Sequence, residues 1–137
     1  MDNLDLKERY MEYQFLMQQL QQLQQNVSAL EKHINDLNSL NENLSNLKDS
    51  KVNSEVLMPL GSGIFVKGDL KENKSVLMNV GNDICIEKTV EGAKETVEKQ
   101  LGDVVSVLEQ LREEIENTVQ KLGSLQHEFE KLKKEED

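Results

Sequence analysis

Apolar residues recur at alternating steps of three and four near both ends of this chain, and that spacing leaves it few ways to fold. Toward the amino terminus the series runs Tyr13, Leu16, Leu20, Leu23, Val27, Leu30, Ile34 and Leu37. Toward the carboxyl terminus it runs Val97, Leu101, Val104, Leu108, Leu111, Ile115, Thr118, Leu122, Leu125, Phe129 and Leu132, with Thr118 the one polar member. These are the a and d sites of a coiled coil, a stripe that is buried only when a second helix covers it. The two series match in length, so the chain can supply its own partner by turning back. Placing residues i and j opposite when i + j is near 138 sets Leu37 against Leu101, Ile34 against Val104, Leu30 against Leu108, Val27 against Leu111, Leu23 against Ile115 and Leu16 against Leu122. Every d then faces an a, as antiparallel helices require.

The helices are expected over residues 8–48 and 90–134. Between Leu16 and Asn26 the other positions are nearly all Gln, which the leucines convert from a low-complexity tract into a polar helix surface. After Leu37 the leucines at 40, 44 and 47 suggest a stripe displaced by one step, with Asn41 on the site the original phase would fill. Such a slip changes the local winding. Thr89 is placed as N-cap of the second helix, with Glu91 and Glu95 near its positive end. Gly102 and Gly123 fall on its outer face, and the charged tail from Lys133 to Asp137 is expected to fray.

Residues 56–88 follow another rule. Val56 to Leu60, Ile64 to Leu70, Ser75 to Val80 and Ile84 to Lys88 read as four short strands. Gly61-Ser62-Gly63 and Gly81-Asn82-Asp83 supply tight turns, and the polar Lys71-Glu72-Asn73-Lys74 links the two resulting hairpins. Both faces are apolar: Val56, Met58 and Leu60 oppose Leu57 and Pro59, Val76, Met78 and Val80 oppose Leu77, and Ile84 and Ile86 oppose Cys85. Two hairpins cannot cover two such faces by themselves. Their open edges are therefore expected to pair with strands of other subunits, which makes Val56, Leu57, Met58, Leu60, Ile64, Phe65, Val66, Val76, Leu77, Met78, Val80, Ile84, Cys85 and Ile86 the candidate oligomerisation residues. Residues 1–137 read as one α+β subunit, a long antiparallel two-helix coiled coil joined by two consecutive β-hairpins. Five aromatic residues, no Trp and a hydrophobic content of 36% suit such a seam better than a globular core.

Charge and chemistry narrow the function. The net charge is −10, with eight acids against four bases in residues 1–50, four against four in 51–86 and fourteen against eight in 87–137. Acidic helices repel phosphate backbones and anionic lipid surfaces, so no nucleic-acid or membrane partner is expected. Lone Cys85 excludes an internal disulfide and fits a reducing compartment. The acidic start, Met1-Asp2-Asn3-Leu4-Asp5, is unlike a signal peptide, and no stretch is long and apolar enough to span a membrane, so a cytoplasmic location is expected. His33 and His127 have no ligand-spaced neighbours, Cys85 has no adjacent base, and Gly61-Ser62-Gly63 lacks the GK[ST] of a phosphate loop. Glu113-Glu114 and Glu135-Glu136 read as solvated helix faces. No metal, cofactor or catalysis is expected.

What remains is binding at the open end of the coil. Tyr10, Met11, Phe15 and Met17 lie off the strict seam, across from Leu125, Phe129 and Leu132 in the proposed register. Exposed methionine and aromatic side chains make an adaptable apolar surface. Tyr10, Met17 and Phe129 have a second reading, as residues that widen the core of a splayed end; Met11 and Phe15, at f and c, are expected to face solvent.

The order of helix, hairpin, hairpin and helix resembles the α class of the prefoldin family over nearly the whole chain. Leu57-Met58-Pro59-Leu60-Gly61-Ser62-Gly63-Ile64-Phe65-Val66-Lys67 is similar to that family's first hairpin, and Val80-Gly81-Asn82-Asp83-Ile84-Cys85-Ile86-Glu87-Lys88 to its second. The resemblance implies an ATP-independent holdase chaperone, without cofactor, in a hexamer of two α-class and four β-class subunits whose hairpins form an intersubunit β-barrel platform. It further implies coiled-coil tips that capture non-native proteins, at Tyr10, Met11, Phe15, Met17, Leu125, Phe129 and Leu132 by location, and transfer to a group II chaperonin. A structural or filament-forming coiled-coil protein of the same architecture is the alternative.

Overall fold

The structure, a computed structural model, describes residues 3–136; Met1, Asp2 and Asp137, at the ends of the acidic start and the charged tail, lie outside the described residues. In chain order the elements are α1 (Asn3–Asp49), β1 (Glu55–Gly61), β2 (Ile64–Asp69), β3 (Ser75–Asn79), β4 (Cys85–Thr89) and α2 (Val90–Glu136). Lys133, Lys134 and Glu135 continue α2 where fraying was expected. The chain divides into two compact units, one formed by Met1–Ile34 with Val104–Asp137 and the other by Asn35–Asp103.

In the first unit α1 and α2 run antiparallel. Leu16 and Leu23 of α1 and Leu108, Thr118 and Leu122 of α2 are buried, and the intervening seam residues are half-buried. Each stripe is covered by a single neighbouring helix, so burial stays incomplete. Arg9 pairs with Glu128, the Tyr10 ring lies 6.5 Å from that of Phe129, and Glu31 accepts a hydrogen bond of 2.9 Å from Arg112. These partners' numbers add up to 137, 139 and 143, close to the register expected from the seam. Thr118 is tolerated at a buried site because its hydroxyl donates to the Glu114 carbonyl, 2.8 Å away, within its own helix.

In the second unit Leu37, Leu44, Val90, Ala93 and Val97 are buried, and Lys48 pairs with Glu91 across the helices. The expected slip of the seam does not begin at Leu40. Leu40 is 42% exposed, while Asn41 is half-buried and Leu44 buried, so the original heptad phase continues through a polar residue as far as Leu44; in the last turn Leu47 is half-buried and Lys48 exposed, as the displaced stripe requires. Leu40 lies one position off the stripe that Leu37 and Leu44 define, so the displacement is confined to the last turn, ahead of the strands. Thr89 caps α2, its hydroxyl accepting the Gly92 N–H at 3.0 Å. At the other helix, Asn73 of the inter-hairpin link donates through Nδ2 to the Ser50 carbonyl at 2.8 Å and the Lys48 carbonyl at 3.4 Å, satisfying orphan acceptors at the end of α1.

The strands form two separate two-stranded antiparallel sheets, β1 with β2 and β3 with β4. Leu57 faces Lys67, Met58 faces Val66 and Pro59 faces Phe65; Leu77 faces Glu87, Met78 faces Ile86 and Asn79 faces Cys85. A register shift between Pro59 and Gly61 leaves Leu60 as the extra residue of a bulge. Each hairpin then turns through two residues of positive φ, Ser62 (49°) and Gly63 (80°) in the first, Asn82 (50°) and Asp83 (60°) in the second. This is the type I′ geometry whose twist suits paired strands. Leu70, expected at the end of β2, instead exchanges hydrogen bonds with Asn53 and Ser54 ahead of β1. The hairpins also repeat one another at a spacing of twenty residues: Val56-Leu57-Met58 returns as Val76-Leu77-Met78, Gly61 as Gly81 and Ile64 as Ile84.

Candidate functional site

Two surfaces carry exposed apolar side chains in number. The first belongs to the hairpins. Leu57 is 62% and Leu77 75% exposed, and Met58, Leu60, Ile64, Phe65, Val66, Val80, Ile84, Cys85 and Ile86 are exposed as well. Val56, Val76 and Met78 are half-buried. Nothing within the second unit covers both faces of these strands. The Met58 side chain lies across Gly68, where an added Cβ would stand 2.6 Å from its terminal carbon, so the missing side chain at Gly68 keeps that face flat. Apolar, two-faced ladders with free edges are suited to strand pairing between chains.

The second surface is at the end of the first unit where α1 begins and α2 finishes. Phe129 packs against Tyr13 edge to face, centroids 5.9 Å apart, and against Tyr10 at 6.5 Å. Such pairs add about 0.5–1.5 kcal/mol to simple area burial. Beside them the Arg9–Glu128 pair straps α1 to α2. Leu125 and Leu132 are half-buried in the seam, and Tyr10 and Met17 are exposed along its flank. An open cleft of about 440 Å³ lies against this cluster, lined by Asn3, Leu6, Lys7, Tyr10 and Phe129. Met11 and Phe15 stand apart from the others, 60% and 66% exposed on the face of α1 turned away from α2. Leu4 and Leu6, also exposed, were not among the residues expected here. Leu4 precedes Met11 by one heptad, a signal that was present in the sequence.

Among the described residues no group of three or more His, Cys, Asp or Glu is placed to hold a metal ion, and no helix is long and apolar enough to cross a membrane. At the start of α2, the Lys48 hydrogen bond holds the Glu91 carboxyl below its ordinary value, with Glu91's own backbone N–H and the Lys48 charge acting in the same direction. Both groups are exposed, and the pair acts as a clasp between helix ends.

Comparison with known proteins places this architecture in a family. The family model for prefoldin subunits matches residues 16–135. The prefoldin subunit alpha of Methanococcus vannielii is 30% identical over 129 residues, spanning 94% of this chain and 86% of that protein. Prefoldin subunit alpha 1 of Thermococcus kodakarensis is 28% identical over 102 residues, 74% of this chain and 70% of that one. A chain in the cryo-EM structure of filamentous PFD from Methanocaldococcus jannaschii shares the fold, with a TM-score of 0.75 at 24% identity, covering 89% of this chain and 98% of that chain. These relatives favour a chaperone subunit over a purely structural coiled coil, and prefoldin is a non-enzymatic chaperone family whose members assemble with other subunits. Two helices joined by two hairpins, matched to that family over most of their length, place the chain in the prefoldin family as an α-class chaperone subunit.

Proposed function

We propose that this chain forms a hetero-hexamer of two α-class and four β-class subunits, captures non-native polypeptides at the open ends of its coiled coils, and passes them to a group II chaperonin in the cytoplasm. The hairpin residues from Val56 to Ile86 form its share of an intersubunit β-barrel; Tyr10, Met11, Phe15, Met17, Leu125, Phe129 and Leu132 form the capture end. The observation that carries this reading is the exposure of Met11 and Phe15 on the face of α1 turned away from α2. Each contact is weak, and several tips acting on one client raise the affinity through effective concentration while leaving release free of any nucleotide. The test is suppression of aggregation of a denatured protein by the chain mixed with a β-class subunit. Met11→Ser with Phe15→Ser is expected to weaken suppression severalfold and leave the particle mass unchanged. Undiminished suppression would move the capture site elsewhere.

A further inference from the structure

Leu4, Met11 and Phe15 lie on one line along α1, spaced i, i+7 and i+11, on the side away from the seam. The same line continues through Gln18, Gln22, Ala29, His33 and Asp36, all exposed and none with a large apolar side chain, so the bulky apolar stretch is confined to the first four turns. Glu8 and Glu12 flank it, and neither takes part in an ion pair among the described residues. On the opposite flank Lys7 lines the cleft beside Leu6 and Tyr10.

From this geometry we propose, building on the holdase reading above, that the stripe selects one class of client: basic amphipathic helical segments. The rise from Leu4 to Met11 is about 10.5 Å and from Met11 to Phe15 about 6 Å. A second helix repeats its apolar residues at the same steps and meets all three as a short coiled-coil seam. An extended chain repeats same-side residues about every 6.7 Å, so it matches Met11 and Phe15 and misses Leu4. Past its first turn the outer face of α1 also offers no free backbone donors or acceptors, so a strand cannot be added alongside Met11 and Phe15, whereas a helical segment satisfies its own backbone. The bare carboxylates of Glu8 and Glu12 then favour Lys and Arg beside the client's apolar face.

The assembled complex is titrated with three labelled peptides: a Lys/Leu heptad helix, its Glu/Leu counterpart, and a Lys/Leu peptide of the same composition with the heptads scrambled. The Lys/Leu helix is expected to bind about tenfold more tightly than either of the others, a difference of about 1.4 kcal/mol. E8K with E12K is expected to abolish the preference for Lys over Glu, while E113K with E114K, which changes net charge equally on an exposed part of α2, leaves it intact. Equal effects of the two charge swaps, or equal binding of the scrambled peptide, would overturn the proposal. So would a particle mass that doubles in the wild type but not in Phe15→Ser, which would assign the stripe to a second copy. Aggregation suppression by the same wild-type complex separates the two readings: if it persists without peptide selectivity, the client class falls and the holdase function stands.

Discussion

Asn41 occupies a seam site that heptad packing would fill with an aliphatic residue, and its Oδ1 is buried with no hydrogen-bond partner. An unsatisfied buried acceptor costs about 1–3 kcal/mol. Asn41 itself is only half-buried, and leucine in its place both removes that cost and gains some apolar burial, so Asn41→Leu is expected to stabilise the chain by about 2 kcal/mol. For a chain of this length that corresponds to a rise in Tm of about 6–8 °C. The measurement is thermal melting of the full chain followed by far-ultraviolet circular dichroism, at one fixed protein concentration because assembly shifts the midpoint. Asn41→Ala, which removes the acceptor but leaves a gap against the seam, is expected near the wild-type value. A leucine variant no more stable than wild type would show that Asn41 is satisfied in solution. A buried Asn at an a site also restricts register. The more stable variant is therefore expected to assemble less uniformly with its partner subunits.

Other substitutions probe the remaining contacts. Ile84→Asp with Ile86→Asp buries charge in any strand pairing through β4, so the variant is expected to stay helical yet fail to enter a complex; an intact complex by size-exclusion chromatography would contradict the role given to the hairpins. Phe129→Ala removes both aromatic contacts at the open end of the coil and should cost about 2 kcal/mol, with faster amide exchange in residues 9–16; unchanged exchange there would mean the ring cluster holds nothing together. The Lys48–Glu91 clasp is pH-dependent in a defined direction. Glu91 titrates below its ordinary 4.5, so its contribution is present above 4.5 and fades as pH falls through the lowered value, while Lys48, raised above 10.5 chiefly by the hydrogen bond to Glu91, keeps its contribution below 10.5 and loses it as pH rises further. Melting curves of wild type and Glu91→Gln should therefore converge in acid and in high salt. A gap that persists in acid would assign the effect to something other than the ion pair.

The helical seam was legible because a 3.5-residue repeat is a local property, readable without knowing what covers it. All nineteen residues of the two expected series, Tyr13 to Leu37 and Val97 to Leu132, are buried or half-buried. The error at Leu40 came from following leucines instead of phase, since a polar residue such as Asn41 can hold a seam position when its neighbours bury the stripe around it. Leu4 precedes the expected helix start at residue 8, so the heptad linking it to Met11 emerges only with α1 beginning at Asn3. The cluster of Tyr10, Tyr13 and Phe129 depends on a contact between residues more than a hundred positions apart, and the seam spacing restricts that pairing without fixing side-chain directions. The hairpin turns were visible in Gly61-Ser62-Gly63 and Gly81-Asn82-Asp83, but the bulge at Leu60 depends on how β1 and β2 align, which turn composition alone does not set.

The recurrence of Val-Leu-Met, Gly and Ile at a twenty-residue interval gives the chain two ladders of one pattern, each ending in the same reverse bend. A molecule with two like couplings is bivalent. In the assembly proposed above each ladder offers an edge to one neighbour, so such a chain bridges two neighbours where a chain with a single ladder would terminate. Valence written into the backbone in this way governs how many partners gather round each copy, independently of how strongly any one of them adheres.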